Sequence, residues 1–471
     1  MLNSNLLLEA KELIATNSTP DYGTQEIVEL INKILQGMGA TIKTQKFDVR
    51  GVECHNVLAK FGPDFDGGLL LSSSIETVEP GDPYLWKITD YDPYNMVVRG
   101  DNIYGLGTSS GKLDWLCMVE AARSISNKKF RRPFYILATS GEHYGLVGAK
   151  IFTESRIVRP GYGIVGGPTK LRINYSAKGY IGFTFMLKDT VSRDPKAGKS
   201  LFRLMVNGKP AHSSVPSLGE NAIEKALSII SDNNRISDNI DVVSIYGGDH
   251  INKVPDRCSI DILGSLDTAK RLSQKDIQIE QITRIIAGSS LNNLLNAVLY
   301  IYNSFRNVVA QLKPQSNEDF YPPQIVYNLG IIHIVADKLI VGFDIRLLPD
   351  NDHNILLKWL EKTIDEIENL FTGIECEAEL EFNAQPMMVN RTSDIITLSM
   401  NTLRDIKEEP VLTTAPFLSE ALIFNQAGIE SIIFGSGSLE EGIYQPDESN
   451  SLTRLNKAIE FYREIIKKFC M

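Results

Sequence analysis

The residues best suited to chemistry in this chain follow short apolar runs. Ser140-Gly141-Glu142-His143 comes directly after Tyr135-Ile136-Leu137-Ala138-Thr139, and Ser72-Ser73-Ser74-Ile75-Glu76 after Leu69-Leu70-Leu71. Gly166-Gly167-Pro168-Thr169 follows Ile164-Val165, and Tyr444-Gln445-Pro446-Asp447-Glu448 lies a few residues beyond Gly435-Ser436-Gly437. Glu76 and Glu142 could take or give a proton. His143 could do so near neutral pH, and Ser74 or Ser110 becomes a nucleophile only beside a base. A conventional zinc reading finds little in these residues, since there is no His-Glu-x-x-His and no paired Cys or His at ligand spacing. No Gly-x-Ser-x-Gly elbow supports a serine nucleophile either. His55, His250, His333 and His353 stand in turn-like or strand contexts and read as surface or hydrogen-bonded side chains, whereas the neighbours of His143 and His212 set those two apart.

Such residues converge only if the strands that carry them end at one edge. Ligands of open α/β sheets bind at the carboxyl ends of the strands. The apolar runs predict strands at 56–61, 68–71, 134–139, 162–165 and 431–434. Helical periodicity predicts helices over 25–38 (with Thr24 as N-cap), 112–126 and the C-terminal stretch holding Leu455, Ile459, Tyr462, Ile465, Ile466 and Phe469. Alternation of this kind implies a largely parallel sheet flanked by helices on both faces. The middle of the chain differs. Strands near 201–207, 241–246, 256–263, 325–332, 338–346 and 374–382 are interspersed with helices at 219–232, 275–313 and 353–369, which predicts an antiparallel sheet carrying helices. The expected fold is α/β, with a mixed, largely parallel sheet. An enlarged α+β domain at 178–384 is inserted into a discontinuous domain made of 1–177 and 385–471.

Composition narrows the classes. A chain of 471 residues has room for two or three domains. The excess of 58 acidic over 48 basic residues, net −10, argues against a nucleic-acid or anionic-membrane surface. No apolar run reaches the ~18–20 residues that span a bilayer, and the N-terminus reads as a helix instead of a signal peptide. Five scattered cysteines, odd in number and without a CxxC, predict reduced thiols and a cytoplasmic protein.

Several of these segments resemble, in order, the motifs of the co-catalytic zinc aminopeptidases and deacylases, the family of acetylornithine deacetylase, succinyl-diaminopimelate desuccinylase, aminoacylase and carboxypeptidase G. Leu69 to Pro80 resembles the strand and His-x-Asp segment of that family. Tyr104-Gly105-Leu106-Gly107-Thr108-Ser109-Ser110-Gly111-Lys112 resembles its Gly-x-Gly-Thr-Ser-Asp-x-Lys loop. Gly208-Lys209-Pro210-Ala211-His212-Ser213-Ser214 resembles its lid motif, and Val254-Pro255-Asp256-Arg257-Cys258 and Asp344-Ile345-Arg346-Leu347-Leu348-Pro349 resemble lid strands. Tyr444 to Glu448 resembles its terminal His-x-Pro-Asp-Glu block.

Carried across by position, the resemblance puts Ser74, Ser110, His143, Gly167 and Tyr444 where the family has metal ligands. A pair of dications needs anionic ligands, above all a bridging carboxylate. The expectation is therefore no metal ligands, no zinc and no other cofactor. The resemblance further implies Glu142 as the general base and Glu76 in place of the Asp that orients a ligand His. It implies His212 as a lid donor to the substrate carbonyl, Asn252 and Arg346 as contacts to a substrate carboxylate or oxyanion, and Gly437 in a loop that presents backbone to substrate. The first reading is a peptidase-like protein that has lost its di-zinc site and binds a small amino-acyl or peptide-like ligand without hydrolysing it. The alternatives are a metal-independent acyl-transfer, amide-forming or hydrolytic enzyme using Ser110 or Ser74 with His143 and Glu142, and a zinc amidohydrolase with relocated ligands. Neither nucleic acid nor membrane is expected as partner. The chain would be a homodimer through the inserted domain or, with that domain enlarged, a monomer.

Overall fold

The computed structural model describes residues 4–191, 195, 200–232, 240–267, 272, 277–282 and 289–471. Two compact units make up the chain: unit 1 is Met1–Lys178 with Ala384–Met471, and unit 2 is Gly179–Asn383.

Unit 1 is built on a nine-stranded mixed sheet. Its centre is parallel, in the order Phe134–Thr139, Leu69–Ser74, Tyr162–Val165, Glu430–Ile433. Antiparallel strands extend both sides, Val52–Phe61 and Thr41–Val49 on one and Ile173–Ala177 and Met387–Met388 on the other. Leu69–Ser74 and Phe134–Thr139 are buried along their whole length, which is why they read as unbroken apolar runs. Alternate residues enter different cores. Leu69, Leu71, Phe134 and Ile136 join one with the helices Gln25–Leu35, Gly111–Arg123, Asp394–Asp405 and Leu452–Cys470. Leu70, Tyr135 and Leu137 join the other with Val147–Ser155 and Ala421–Gln426. A period of two in the strands thus places helices on both faces.

Unit 2 holds an eight-stranded sheet in the order Ile277–Ile282, Ser200–Asn207, Arg257–Gly264, Asp241–Gly247, Val326–Val335, Lys338–Leu347, Gly179–Asp189, Ile374–Ala384. The helices Ala222–Asp232, Asn292–Gln311 and Asn354–Leu370 share one core with it, centred on Phe183, Phe305, Phe343 and Trp359.

Three expectations need correction. The stretch 275–313 is not one helix. Ile277–Ile282 alternates Ile-Gln-Ile-Glu-Gln-Ile and forms an edge strand on Ser200–Asn207, the helix is Asn292–Gln311, and 275–276 and 283–288 lie outside the described residues. Thr24 precedes the helix Gln25–Leu35 but does not cap it with its side chain, because Thr24 Oγ1 accepts the His55 N–H at 2.8 Å. The strand Thr41–Val49 escapes sequence reading because it is a largely exposed edge rich in Lys, Thr and Gln, with no apolar run to signal it. Among the described residues no helix is long and apolar enough to cross a membrane. All five cysteines are buried and unpaired.

Candidate active site

In unit 1 the strand exits are joined by a closed series of contacts. Glu76 leaves Leu69–Ser74 with its carboxylate accepting the N–H groups of Gly141 (2.5 Å) and Glu142 (3.0 Å), while its own N–H donates to Ser74 Oγ (3.3 Å). Gly141, at φ +74°, gives the left-handed turn that lets two successive N–H groups meet one carboxylate. His143, two residues on, meets the Tyr444 ring edge-on, with centroids 5.6 Å apart. Tyr444 sits at φ +61°, a conformation bulky residues seldom adopt, and its N–H donates to Glu448 Oε2 at 3.1 Å. The other oxygen, Glu448 Oε1, accepts the N–H groups of Ser109 (2.7 Å) and Ser110 (3.3 Å). Gly111 then passes so close to Ser74 that a Cβ there would lie 1.9 Å from the Ser74 carbonyl oxygen. The series therefore closes on itself, and Ser74, Glu76, Ser110, Glu142, His143 and Tyr444 share one neighbourhood.

The neighbourhood is rich in carboxyls and poor in cations. Among the described residues neither Glu76 nor Glu142, Glu420 or Glu448 forms an ion pair with Lys or Arg. Backbone N–H groups hold Glu76 and Glu448, the Thr139 hydroxyl holds Glu420, and the charge of the buried Lys112 acts on Glu448. Burial pushes Glu448 up to about 7, against the pull of the N–H groups of Ser109, Tyr444, Gly107 and Ser110. Burial also raises Glu76, with the Gly141 N–H pulling back. The Tyr444 hydroxyl is raised well above its ordinary range, by burial first and then by the charge of Glu142, and it stays a neutral hydrogen-bond donor. Two polar atoms of the set, Ser110 Oγ and His143 Nε2, are buried and find no hydrogen-bond partner among the described residues. No Ser110–His143 bond of the kind a nucleophile and its base require therefore passes through Nε2.

Two features went unread in the sequence. Glu420 is fully buried, with one oxygen accepting the Thr139 hydroxyl at 2.7 Å and the other without a partner. Burial and then the charges of Glu142 and Glu76 push it up to about 8. Its signal was a lone acid inside the apolar run Phe417 to Phe424. Phe417 is the second. A Cβ on Gly167 would lie 2.9 Å from Ile433 Cγ2 and 3.5 Å from the Phe417 ring, so apolar side chains fill the space where an acidic residue would project. Gly437 has a structural reason to be glycine, since a Cβ would lie 2.0 Å from the Ser109 carbonyl oxygen; its own carbonyl accepts the Lys170 N–H.

The remaining candidates belong to unit 2. Ala211–His212 pairs with Lys253–Val254, and the Ser213 N–H donates to the Asn252 carbonyl at 3.0 Å. The Ser213 hydroxyl donates to Asp344, and the Arg346 guanidinium lies 3.8 Å from the centre of the Tyr180 ring and 3.8 Å from Asp344 Oδ2. Arg346 Nε and Asp344 Oδ1 are buried without partners. Burial pushes Asp344 up to about 7, with Arg346 and Ser213 pulling back.

Comparison with known proteins follows from this geometry. The model of peptidase family M20/M25/M40 matches residues 70–468. An acetylornithine deacetylase from Aliivibrio fischeri is 23% identical over 98% of this chain and 97% of that protein. One from Erwinia tasmaniensis is 31% identical over 46% of this chain and 50% of that protein. Among solved structures, aminoacylhistidine dipeptidase from Vibrio alginolyticus has a TM-score of 0.66 at 15% identity, covering 98% of this chain and 96% of its own. An M20-family metallo-carboxypeptidase from Sulfolobus solfataricus has a TM-score of 0.60 at 16% identity, covering 99% of both chains. The fold is that of these structures, a mixed sheet flanked by helices with a lid domain.

These matches correct the expectation of no cofactor. Peptidases of the matched family are typically dinuclear metal enzymes, so a metal is what the family match implies. The side chains at the corresponding positions are another matter. Ser74, Ser110, Gly167 and Tyr444 bring no anionic donor at neutral pH, and Phe417 and Ile433 fill the space beside Gly167. Among the described residues no three His, Cys, Asp or Glu side chains are grouped to hold an ion. This donor set does not fit a pair of dications, and no chemical step through a metal follows from it.

Proposed function

Because the chain belongs to peptidase family M20/M25/M40, we propose that it binds an amino-acyl or peptide-like ligand through the residues gathered at the unit 1 strand ends and leaves its amide bond intact. The observation that carries this reading is the pair of buried, unpartnered polar atoms, Ser110 Oγ and His143 Nε2, in a set otherwise held together by hydrogen bonds. Buried polar groups are costly unless paired, and a ligand amide has both a donor and an acceptor to offer them. The neutral Tyr444 hydroxyl adds a donor, and Glu142 an acceptor for a ligand N–H. Hydrolysis asks more. It needs a water or side chain activated by a base and a positive or donor-rich site for the developing oxyanion. Glu142 supplies the base, but among the described residues no Lys or Arg forms an ion pair with a carboxyl of this set.

The test is a thermal-shift and calorimetric screen of N-acetyl amino acids and dipeptides, with products followed by mass spectrometry. Ligand at 100 times its dissociation constant stabilises by about 2.7 kcal/mol. A ligand that raises the melting temperature and is recovered intact supports the proposal. Steady release of acetate or free amino acids overturns it.

A further inference from the structure

We propose that Asp114 is a positioning residue of the unit 1 site: its carboxyl fastens the loop 435–438 to the start of the helix Gly111–Arg123 and leaves the Ser110 hydroxyl at that start for a ligand. The ligand side rests on the function proposed above; the fastening does not. Asp114 lies in the first turn of the helix and is 1% exposed. Its Oδ1 accepts both donors of Ser436, the N–H and the hydroxyl, each at 2.9 Å. Ser436 Oγ in turn accepts Asn450 Nδ2 at 3.0 Å, and the same Nδ2 donates to the Thr108 carbonyl at 2.9 Å. The Ser438 N–H donates to Ser109 Oγ at 2.9 Å. These bonds tie 435–438 to Thr108 and Ser109, beside the Ser109 and Ser110 N–H groups that clamp Glu448. Glycines make room for the carboxyl. A Cβ on Gly435 would lie 2.1 Å from Asp114 Oδ2, and one on Gly166 would lie 2.9 Å from Asp114 Cβ.

Two observations separate this role from core filling. Among the described residues no Lys or Arg forms an ion pair with Asp114, and Oδ2 has no hydrogen-bond partner there. A buried carboxyl held this way is costly, and an apolar side chain would fill the space at less cost. What the apolar side chain could not do is accept the two donors of Ser436. The second observation is at Ser110, the N-cap of the same helix. Its hydroxyl makes no capping bond and has no other partner among the described residues. A serine at this position ordinarily turns its oxygen to an N–H of the first turn. Here the acid in the first turn meets the positive end of the helix instead. The Ser110 hydroxyl is thus not committed to the helix, and it can donate to a ligand carbonyl oxygen.

Hydrogen exchange and calorimetric titration of N-acetyl amino acids, both on the full-length protein, test this. Asp114→Asn keeps an oxygen for Ser436 and should stay near wild type in both. In Asp114→Ala the backbone amides of 105–110 and 435–448 should exchange about tenfold faster, with the unit 2 strands unchanged, and ligand affinity should fall about tenfold. Ser436→Ala should lose about threefold in affinity, and the double variant no more than Asp114→Ala alone, because the two residues act through the same bonds. Wild-type exchange and affinity in Asp114→Ala overturn the inference, as do additive losses in the double variant. If Asp114→Ala does not fold, the other two single variants decide: near wild-type affinity in Asp114→Asn with a loss in Ser436→Ala supports the inference, and any other pairing overturns it. If the wild-type protein binds none of these ligands, the proposed function falls, and the exchange rates alone decide whether Asp114 fastens the loop.

Discussion

The two units handle buried charge in opposite ways. In unit 1 the carboxyls of Glu76 and Glu448 are held by backbone N–H groups from loops far apart in sequence, and Glu420 is held by a threonine hydroxyl. In unit 2 the buried carboxyls of Asp344 and Asp261 have guanidiniums beside them, Arg346 and Arg203, and the Arg346 guanidinium rests on the Tyr180 ring. Backbone N–H groups cannot rearrange without moving the loops, so the unit 1 carboxyls act as clamps that assemble the site. The side-chain cluster of unit 2 instead pairs charges on residues whose backbone is fixed by the sheet.

The comparison breaks most visibly at the clamps. Glu448→Ala leaves three buried N–H groups without an acceptor and should cost roughly 3–5 kcal/mol in urea unfolding. Arg346→Ala, which removes a counter-charge from an Asp344 that can take up a proton instead, should cost about 3 kcal/mol or less. Equal and small losses would show that backbone clamping is not what assembles unit 1. The pH dependence comes next. Glu420, Glu448 and Asp344 have folded-state values raised by burial to about 8, 7 and 7. Their contribution to stability is full below the ordinary carboxylate range and is lost as pH rises through those values. Stability should therefore fall between about pH 5 and 8, and Glu420→Gln should recover roughly 2 kcal/mol at pH 8 while changing little at pH 5. A flat profile in the wild type would contradict this. Gly167→Asp should cost about 1–3 kcal/mol by overpacking against Phe417 and Ile433, and adding Phe417→Ala should relieve part of it. Ser110→Ala removes a buried hydroxyl that has no partner, so unfolding should change by no more than about 0.5 kcal/mol, while ligand affinity should drop about fivefold for one neutral hydrogen bond lost.

Much of unit 1 was legible because its central strands are buried on both faces. Phe134–Thr139 and Tyr162–Val165 could be read to the residue, and the polar residues at their ends followed from that. Glu142 and His143 were visible for the same reason. Glu448 as a clamp was not, since its partners Ser109 and Ser110 lie more than 330 positions away in the chain and are backbone groups that carry no side-chain signal. Glu420 reads as the start of the helix Ala421–Gln426, and only the fold shows Thr139 against it. The expectation of no metal drew on the side-chain types at positions carried across from a family resemblance, and the family match corrected it.

The most direct measurement of the central claim is calorimetric titration of N-acetyl amino acids into wild-type protein and Ser110→Ala, run with added zinc and with mass analysis of the recovered ligand. The account predicts saturable binding that weakens in the variant and a ligand recovered intact. Catalytic cleavage of the acyl–amino acid bond by the wild-type protein, or a complete lack of binding across the series, would contradict it.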